Sequence, residues 1–315
     1  METNAVYNAL FGLAIGDALG VPVEFLSREK LKENPVKGMR EYGTHNQPLG
    51  TWSDDSSLSF CLADSLCKGY NLEEIAHYFS LWLYGDFWTP HGRVFDIGIA
   101  TREAIEKITK GESPAVSGGF EEKDNGNGSL MRILPLAFHL AKENHTEAIF
   151  QKVKEVSSIT HAHFRSVFAC FIYTIYALEL VKKRDKWEAY DQTKTIVLDF
   201  IKDKAFNKNE IVLFDRVLQN NINELSEEEI FSSGYVLHTL EAGLWCILTS
   251  DSYSESVLKA VNLGSDTDTT ATVTGGLAGI IYGFNQIPKD WIACLARKDA
   301  ISDLCNKLSK KYEIH

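Results

Sequence analysis

Two short acidic clusters carry residue types and spacings that suit chemistry. GSDTDTT (264–270) sets Asp266 and Asp268 one residue apart among hydroxyl side chains, and WSDDSS (52–57) sets Asp54 beside Asp55 between Ser53 and Ser56. Ionised carboxylates this close repel, and neither is buried cheaply without a partner. A single acid ahead of a helix serves as an N-cap or complements the macrodipole, worth about 1 kcal/mol. A cap uses only one carboxylate. Two clusters, each opening a helix of small residues, point instead to a hard-cation site of carboxylate, hydroxyl and water oxygens. An EF-hand is excluded, because counting Asp266 as position one puts Leu277 at position twelve. Shared ions would bring together positions 55 and 266, so residues 1–315 are expected to form one domain.

Other segments offer weaker chemistry. In GDALGVPVEF, Glu24 sits between Val23 and Phe25, where burial would raise its pKa toward general acid/base work, while Asp17 suits a structural hydrogen bond to loop backbone. Asp96 in VFDIG is either a further acid in an apolar setting or the N-cap of a helix starting near Ile97. NGNGSLMR (125–132) reads as a glycine-rich loop entering a helix with Arg132 in its first turns, backbone that suits a diphosphate, although it matches neither G-x-G-x-x-G nor Walker A. His161 in THAH is a phosphate contact or a satisfied core histidine. HExxH, Cys/His zinc spacing and GxSxG are absent.

The elements that must position these residues are helical. Leu58, Cys61, Leu62, Ser65 and Leu66 follow helical spacing, as do Leu72, Ile75, Phe79, Trp82 and Leu83 behind an Asn71/Glu74 cap pair. The same periodicity predicts helices near 4–16, 97–108, 130–142, 164–183, 187–202, 235–249, 254–262, 269–283 and 298–311. Strand-like alternation is nearly absent, so the fold class is all-α. KKRDK (182–186) and NKNE (207–210) read as solvated connections. Gly275, Gly279 and Gly283 form a bare stripe for close helix approach.

Composition narrows the classes of function. A net charge of −11 argues against a broad nucleic-acid surface. The apolar stretch near the N-terminus stops at Asp17 without a basic segment before it, which disfavours a secretory signal, and no apolar run is expected to span a membrane. Six scattered cysteines without CxxC spacing fit reduced core thiols and a cytoplasmic location.

In order along residues 8–283, GDALGVPVEF, SDDS, VFDIG, NGNGSLMRILP, the TH pair, SGYVLHTLEAGLW and LGSDTDTTATVTGGLAGIIYG resemble the ADP-ribosylglycohydrolase family, nearest its bacterial dinitrogenase reductase-activating branch. The resemblance implies a single compact, orthogonal multi-helix domain with a central dinuclear cleft holding two divalent ions, Mg²⁺ or Mn²⁺. It implies metal ligands at Ser53, Asp54, Asp55, Asp266, Asp268 and Thr269, with Ser53 standing where threonine is commoner. Catalytic carboxylates would be Glu24, Asp55 and Asp96. Asn127, Gly128, Ser129, Met131 and His161 would line the ribose and diphosphate region, with Tyr235 against the ligand. The implied activity is hydrolysis of the bond between ADP-ribose and a protein side chain, arginine first. The alternatives are a serine-linked or O-acetyl substrate, or a silent relative that only binds. The expected partner is an ADP-ribosylated protein or an ADP-ribose-containing small molecule, with no nucleic acid or membrane and a monomeric chain.

Overall fold

The computed structural model describes residues 4–182 and 185–314. Sixteen α-helices are found among them. The first six are α1 (Ala5–Gly20), α2 (Arg28–Glu33), α3 (Asp54–Lys68), α4 (Leu72–Gly85), α5 (Ile99–Thr109) and α6 (Pro135–His139). Then follow α7 (Thr146–Ser158), α8 (Phe164–Val181), α9 (Lys186–Lys202), α10 (Lys208–Ile211) and α11 (Asp215–Leu218). The chain closes with α12 (Val236–Leu248), α13 (Tyr253–Asn262), α14 (Thr267–Tyr282), α15 (Lys289–Cys294) and α16 (Lys298–Tyr312). Strand pairing among the described residues is limited to three isolated bridges, Tyr42 with Gln47, Gly119 with His161 and Gly126 with Tyr235. The all-α reading holds.

The core is organised by α1 crossing α14. Asn4 caps α1, its side chain accepting from the amides of Val6 and Tyr7 at 3.0 and 3.2 Å, and almost every residue from Val6 to Gly20 is buried. The two backbones touch because glycines remove the side chains between them. A Cβ on Gly12 or Gly16 would overlap the carbonyl oxygens of Gly275 and Ala271, and one on Gly279 would overlap that of Asn8. Tyr253 and Tyr173 donate their buried hydroxyls to the carbonyls of Gly12 (2.7 Å) and Val273 (3.0 Å), satisfying backbone that the crossing leaves crowded. α12 and α13 cover α14, α3 joins α4, α6 and α16, and α8 joins α7 and α9.

Five readings change. Residues 130–142 are not one helix: Pro135 has no N–H to give, so α6 starts there and runs only to His139. Gly283 lies outside the stripe, with φ +84° as the residue that ends α14 and nothing near its missing side chain. α7 was not anticipated, and NKNE folds as α10 on an Asn207 cap. Finally, Ala5–Val23 and Phe164–Val181 are long and apolar enough to cross a membrane by composition, yet 94% and 83% of these segments are buried inside the fold. Part of KKRDK lies outside the described residues.

Candidate active site

Three helix ends build the floor of a cleft. Asp17, near the end of α1 and fully buried, accepts from the Ser53 amide at 2.9 and 3.0 Å, the Ser56 amide at 3.0 Å and the Ser56 hydroxyl at 2.6 Å. It thereby pins the start of α3, whose N-cap Ser53 accepts from the Asp55 amide at 3.2 Å. The structural role expected for Asp17 is the one its geometry shows. Asp55 then faces the start of α14, while Asp54 beside it lines the cleft. Thr269 and Thr272 donate to the two oxygens of Asp55 at 3.2 and 3.1 Å, and Asp268 is buried beside them.

The acids converge. Carboxylate oxygens of Asp17, Asp55 and Asp268 lie within 4.8 Å of one another, as do those of Glu24, Asp266 and Asp268. A third group within the same distance joins Glu24 and Asp96 to a ring nitrogen of His45. Asp266 stands at the N-cap position of α14 without making a cap hydrogen bond; its Oδ2 accepts from Asn127 at 2.8 Å and its Oδ1 is buried without a partner. Asp96 is not a cap either, because Gly98 holds that place and Asp96 adopts a left-handed φ of +50°.

Burial, reinforced by neighbouring charges, pushes Asp54, Asp55 and Asp268 well above the usual carboxylate range. Burial raises Glu24 to about 7 against a His45 hydrogen bond, and Asp17 to about 6 against its serine donors. Asp96 and Asp266 are raised for the same first reason. Among the described residues the ion pair these acids make is Glu24 with His45, so no lysine or arginine neutralises the cluster. Crowded acids, an orphaned oxygen and hydroxyls at Ser53 and Thr269 fit hard divalent cations.

The cleft above the floor encloses about 410 Å³. Glu24, Asp54, Asp55, Asp96, Asp266 and Thr269 line it, together with Asn127, Gly128, Met131 and His161. Gly128 is required by close approach, since a Cβ there would lie 2.8 Å from His161 Cε1 and 3.1 Å from Thr101 Oγ1. Burial, then the charge of Arg132, depresses His161 to about 3, which keeps its imidazole neutral beside Thr160 Oγ1 at 2.7 Å. Arg132 is wholly buried, donating to the carbonyls of Gly128 and Val156 and lying over the Phe79 ring. It props the loop from behind and does not sit in a helical first turn.

Two expected lining residues are elsewhere. Ser129 is fully buried, accepts from Ser157 Oγ at 2.9 Å and touches Cys170, so its side chain supports the loop and does not line the cleft. Tyr235 pairs by backbone with Gly126, and its hydroxyl accepts from Arg165 at 3.3 Å, outside the cleft lining. The sequence reading missed His45, which a turn of residues 43–45 brings to Glu24, and Thr272; neither carries a local spacing signal.

The sequence profile of the ADP-ribosylglycohydrolase family matches residues 2–314. The chain is 34% identical over 310 residues to the ADP-ribosylarginine hydrolase Tri1 of Serratia proteamaculans, covering 95% of this chain and 77% of that protein. It is 28% identical over 301 residues to the ADP-ribosyl-[dinitrogen reductase] glycohydrolase of Rhodospirillum rubrum, covering 92% and 90%. A solved structure described as an ADP-ribosylglycohydrolase-related protein complex superposes with a TM-score of 0.80 at 28% identity, covering 98% of each chain. With the helices and the converging acids in place, the match along nearly the whole chain is decisive: this protein belongs to the ADP-ribosylglycohydrolase family.

Proposed function

We propose that the protein hydrolyses the bond between ADP-ribose and an arginine guanidinium on a modified protein. Its likeness to an ADP-ribosylarginine hydrolase supports the linkage. The observation that carries the reading is the meeting of both acidic clusters with Glu24 and Asp96 in one cleft. Ser53, Asp54, Asp55, Asp266, Asp268 and Thr269 would hold two divalent ions, Mg²⁺ or Mn²⁺, which when bound supply positive charge to the ribose hydroxyls and acidify water.

The remaining chemistry belongs to the chain. Water oxygen bonds to the anomeric carbon as the carbon–nitrogen bond breaks, through an oxocarbenium-like transition state. Glu24 accepts the water proton, and the departing neutral guanidine takes it up beside Asp96 to leave as guanidinium. Asp55, whose two oxygens each accept one threonine hydroxyl, is held in place as a metal ligand in this reading, which leaves the proton to Glu24 and Asp96. Asn127, Gly128, Met131 and neutral His161 orient the ribose and diphosphate. Six unpaired cysteines support a cytoplasmic location, and a monomer is sufficient for the site.

Release of free ADP-ribose from an arginine-ADP-ribosylated protein, with Mg²⁺, Mn²⁺ or EDTA, tests this. Metal-dependent release that EDTA stops is expected. Release from serine-linked or O-acetyl substrates with none from the arginine linkage would overturn the assignment.

A further inference from the structure

Glu24 is held by more machinery than a buried carboxylate needs. The Thr44 hydroxyl donates to the Glu24 carbonyl at 2.7 Å, and the Phe25 amide donates to Ser265 O at 2.7 Å while the Ser265 amide donates back to Leu26 O at 2.7 Å. These bonds fasten the Glu24 loop to the 43–45 turn on one side and to the Asp266 loop on the other. Gly43, at φ +56°, packs so closely on Pro22 that a Cβ would overlap its carbonyl, and the Tyr42 amide closes the turn on Gln47 O at 2.6 Å.

The turn delivers one polar side chain to Glu24. His45 Nε2 hydrogen-bonds Glu24 Oε2, and the imidazole is walled by Phe25 and Phe95, with ring centroids at 6.0 and 5.5 Å. Of the nine non-glycine residues with positive φ among the described residues, five, namely Phe25, Tyr42, Asn46, Asp96 and Ser265, gather around this one contact. Backbone held in sparsely populated regions collects where geometry is imposed by function. Phe25 is 68% exposed, so burying that ring does not account for its conformation.

We propose that His45 is a positioning residue for Glu24. Its Nε2 fixes one carboxylate oxygen and leaves the other for the reacting water. An imidazole anchored by two aromatic rings and a closed turn selects one rotamer of a side chain that would otherwise sample several. The groups facing the pair are Asp96, Asp17 and Asp266, all acids, so the imidazole is the local counterweight to their repulsion. The inference rests on Glu24 being the proton acceptor of the proposed reaction.

The experiment compares kcat and KM of wild type, His45→Ala, His45→Gln, Glu24→Gln and Glu24→Gln/His45→Ala on an arginine-ADP-ribosylated protein, with melting temperatures alongside. His45→Ala is expected to lower kcat about 10–100-fold with KM unchanged. His45→Gln, which keeps an N–H donor of similar reach, recovers most of the loss. The double variant is no slower than Glu24→Gln alone. Unchanged kcat in His45→Ala, equal loss in the alanine and glutamine variants, or an additive double variant would each overturn the inference. If Glu24→Gln itself keeps wild-type kcat, the assignment of Glu24 fails and this inference with it. If Glu24→Gln is inactive while His45→Ala is not slowed, only the role of His45 falls.

Discussion

Asn127 Nδ2 lies 2.8 Å from Asp266 Oδ2 and 2.8 Å from Thr239 Oγ1, so one amide ties the glycine loop to the second acidic cluster and to α12. The bond fixes which Asp266 oxygen stays free. Asn127→Ala is expected to raise the Mn²⁺ concentration for half-maximal activity about 10–100-fold. A titration curve identical to wild type would show that Asp266 needs no such support.

Asp268 is 1% exposed among like charges. Asp268→Asn keeps the shape and removes one repelling charge, so the metal-free protein should melt at or above the wild-type temperature. Turnover should fall about 10³-fold or more, several kcal/mol of lost transition-state stabilisation. Retained activity would remove Asp268 from the ligand set.

Metal and protons should compete in the floor of the cleft. Asp54, Asp55 and Asp268 titrate above their unfolded values, so proton binding stabilises the metal-free fold at low pH, and that stability drains away as pH rises through the folded values. Ligands must be deprotonated to bind. Melting in EDTA should therefore fall as pH rises above the usual carboxylate range, through the interval where Asp17 at about 6 and Glu24 at about 7 also lose their protons, while the increase that Mn²⁺ gives should grow over the same interval. An increase independent of pH would contradict ligation by these acids.

Glu241 offers a pH effect outside the cleft. Burial raises it to about 7 despite Arg216 at 3.1 Å, so from about pH 4.5 to 7 the folded state holds the extra proton and stability declines. Glu241→Gln should remove up to about 3 kcal/mol of that decline. The check is chemical denaturation at pH 5 and pH 8, where an unchanged slope would mean that Arg216 keeps Glu241 ionised.

At the α1–α14 crossing, Gly16→Ala should destabilise by about 1–3 kcal/mol through overpacking, although alanine favours an isolated helix. Gly85→Ala in α4, which meets only a Leu81 methyl at 4.0 Å, should be neutral or stabilising by up to about 1 kcal/mol. Equal melting temperatures for the two would refute the close-packing account.

The acid clusters were legible because each concentrates its signal in four or five residues that no ordinary cap requires. Long helices such as α8 and α9 were legible from apolar period alone. Leu130, Ile133, Leu134 and Leu136 kept helical spacing across a segment that Pro135 breaks, so the pattern outran the backbone. Ser129 and Tyr235 sit in the right motifs, but their orientations depend on Ser157 and Arg165, partners far away in the chain. His45 left no trace because its meaning lies in a turn meeting Glu24, 21 residues earlier.

The joining of α1 to α14 also sets a timetable. Thr267 Oγ1 donates to Gly20 O at 2.8 Å, and these residues are 247 positions apart. At about 5–20 residues per second on the ribosome, the first helix waits roughly 10–50 s for its partner to be made. For that interval a helix with no polar face and a bare glycine track stands uncovered, so truncated chains should be sticky products. The catalytic floor itself closes only after synthesis of α14, and nascent chains shorter than that are inert.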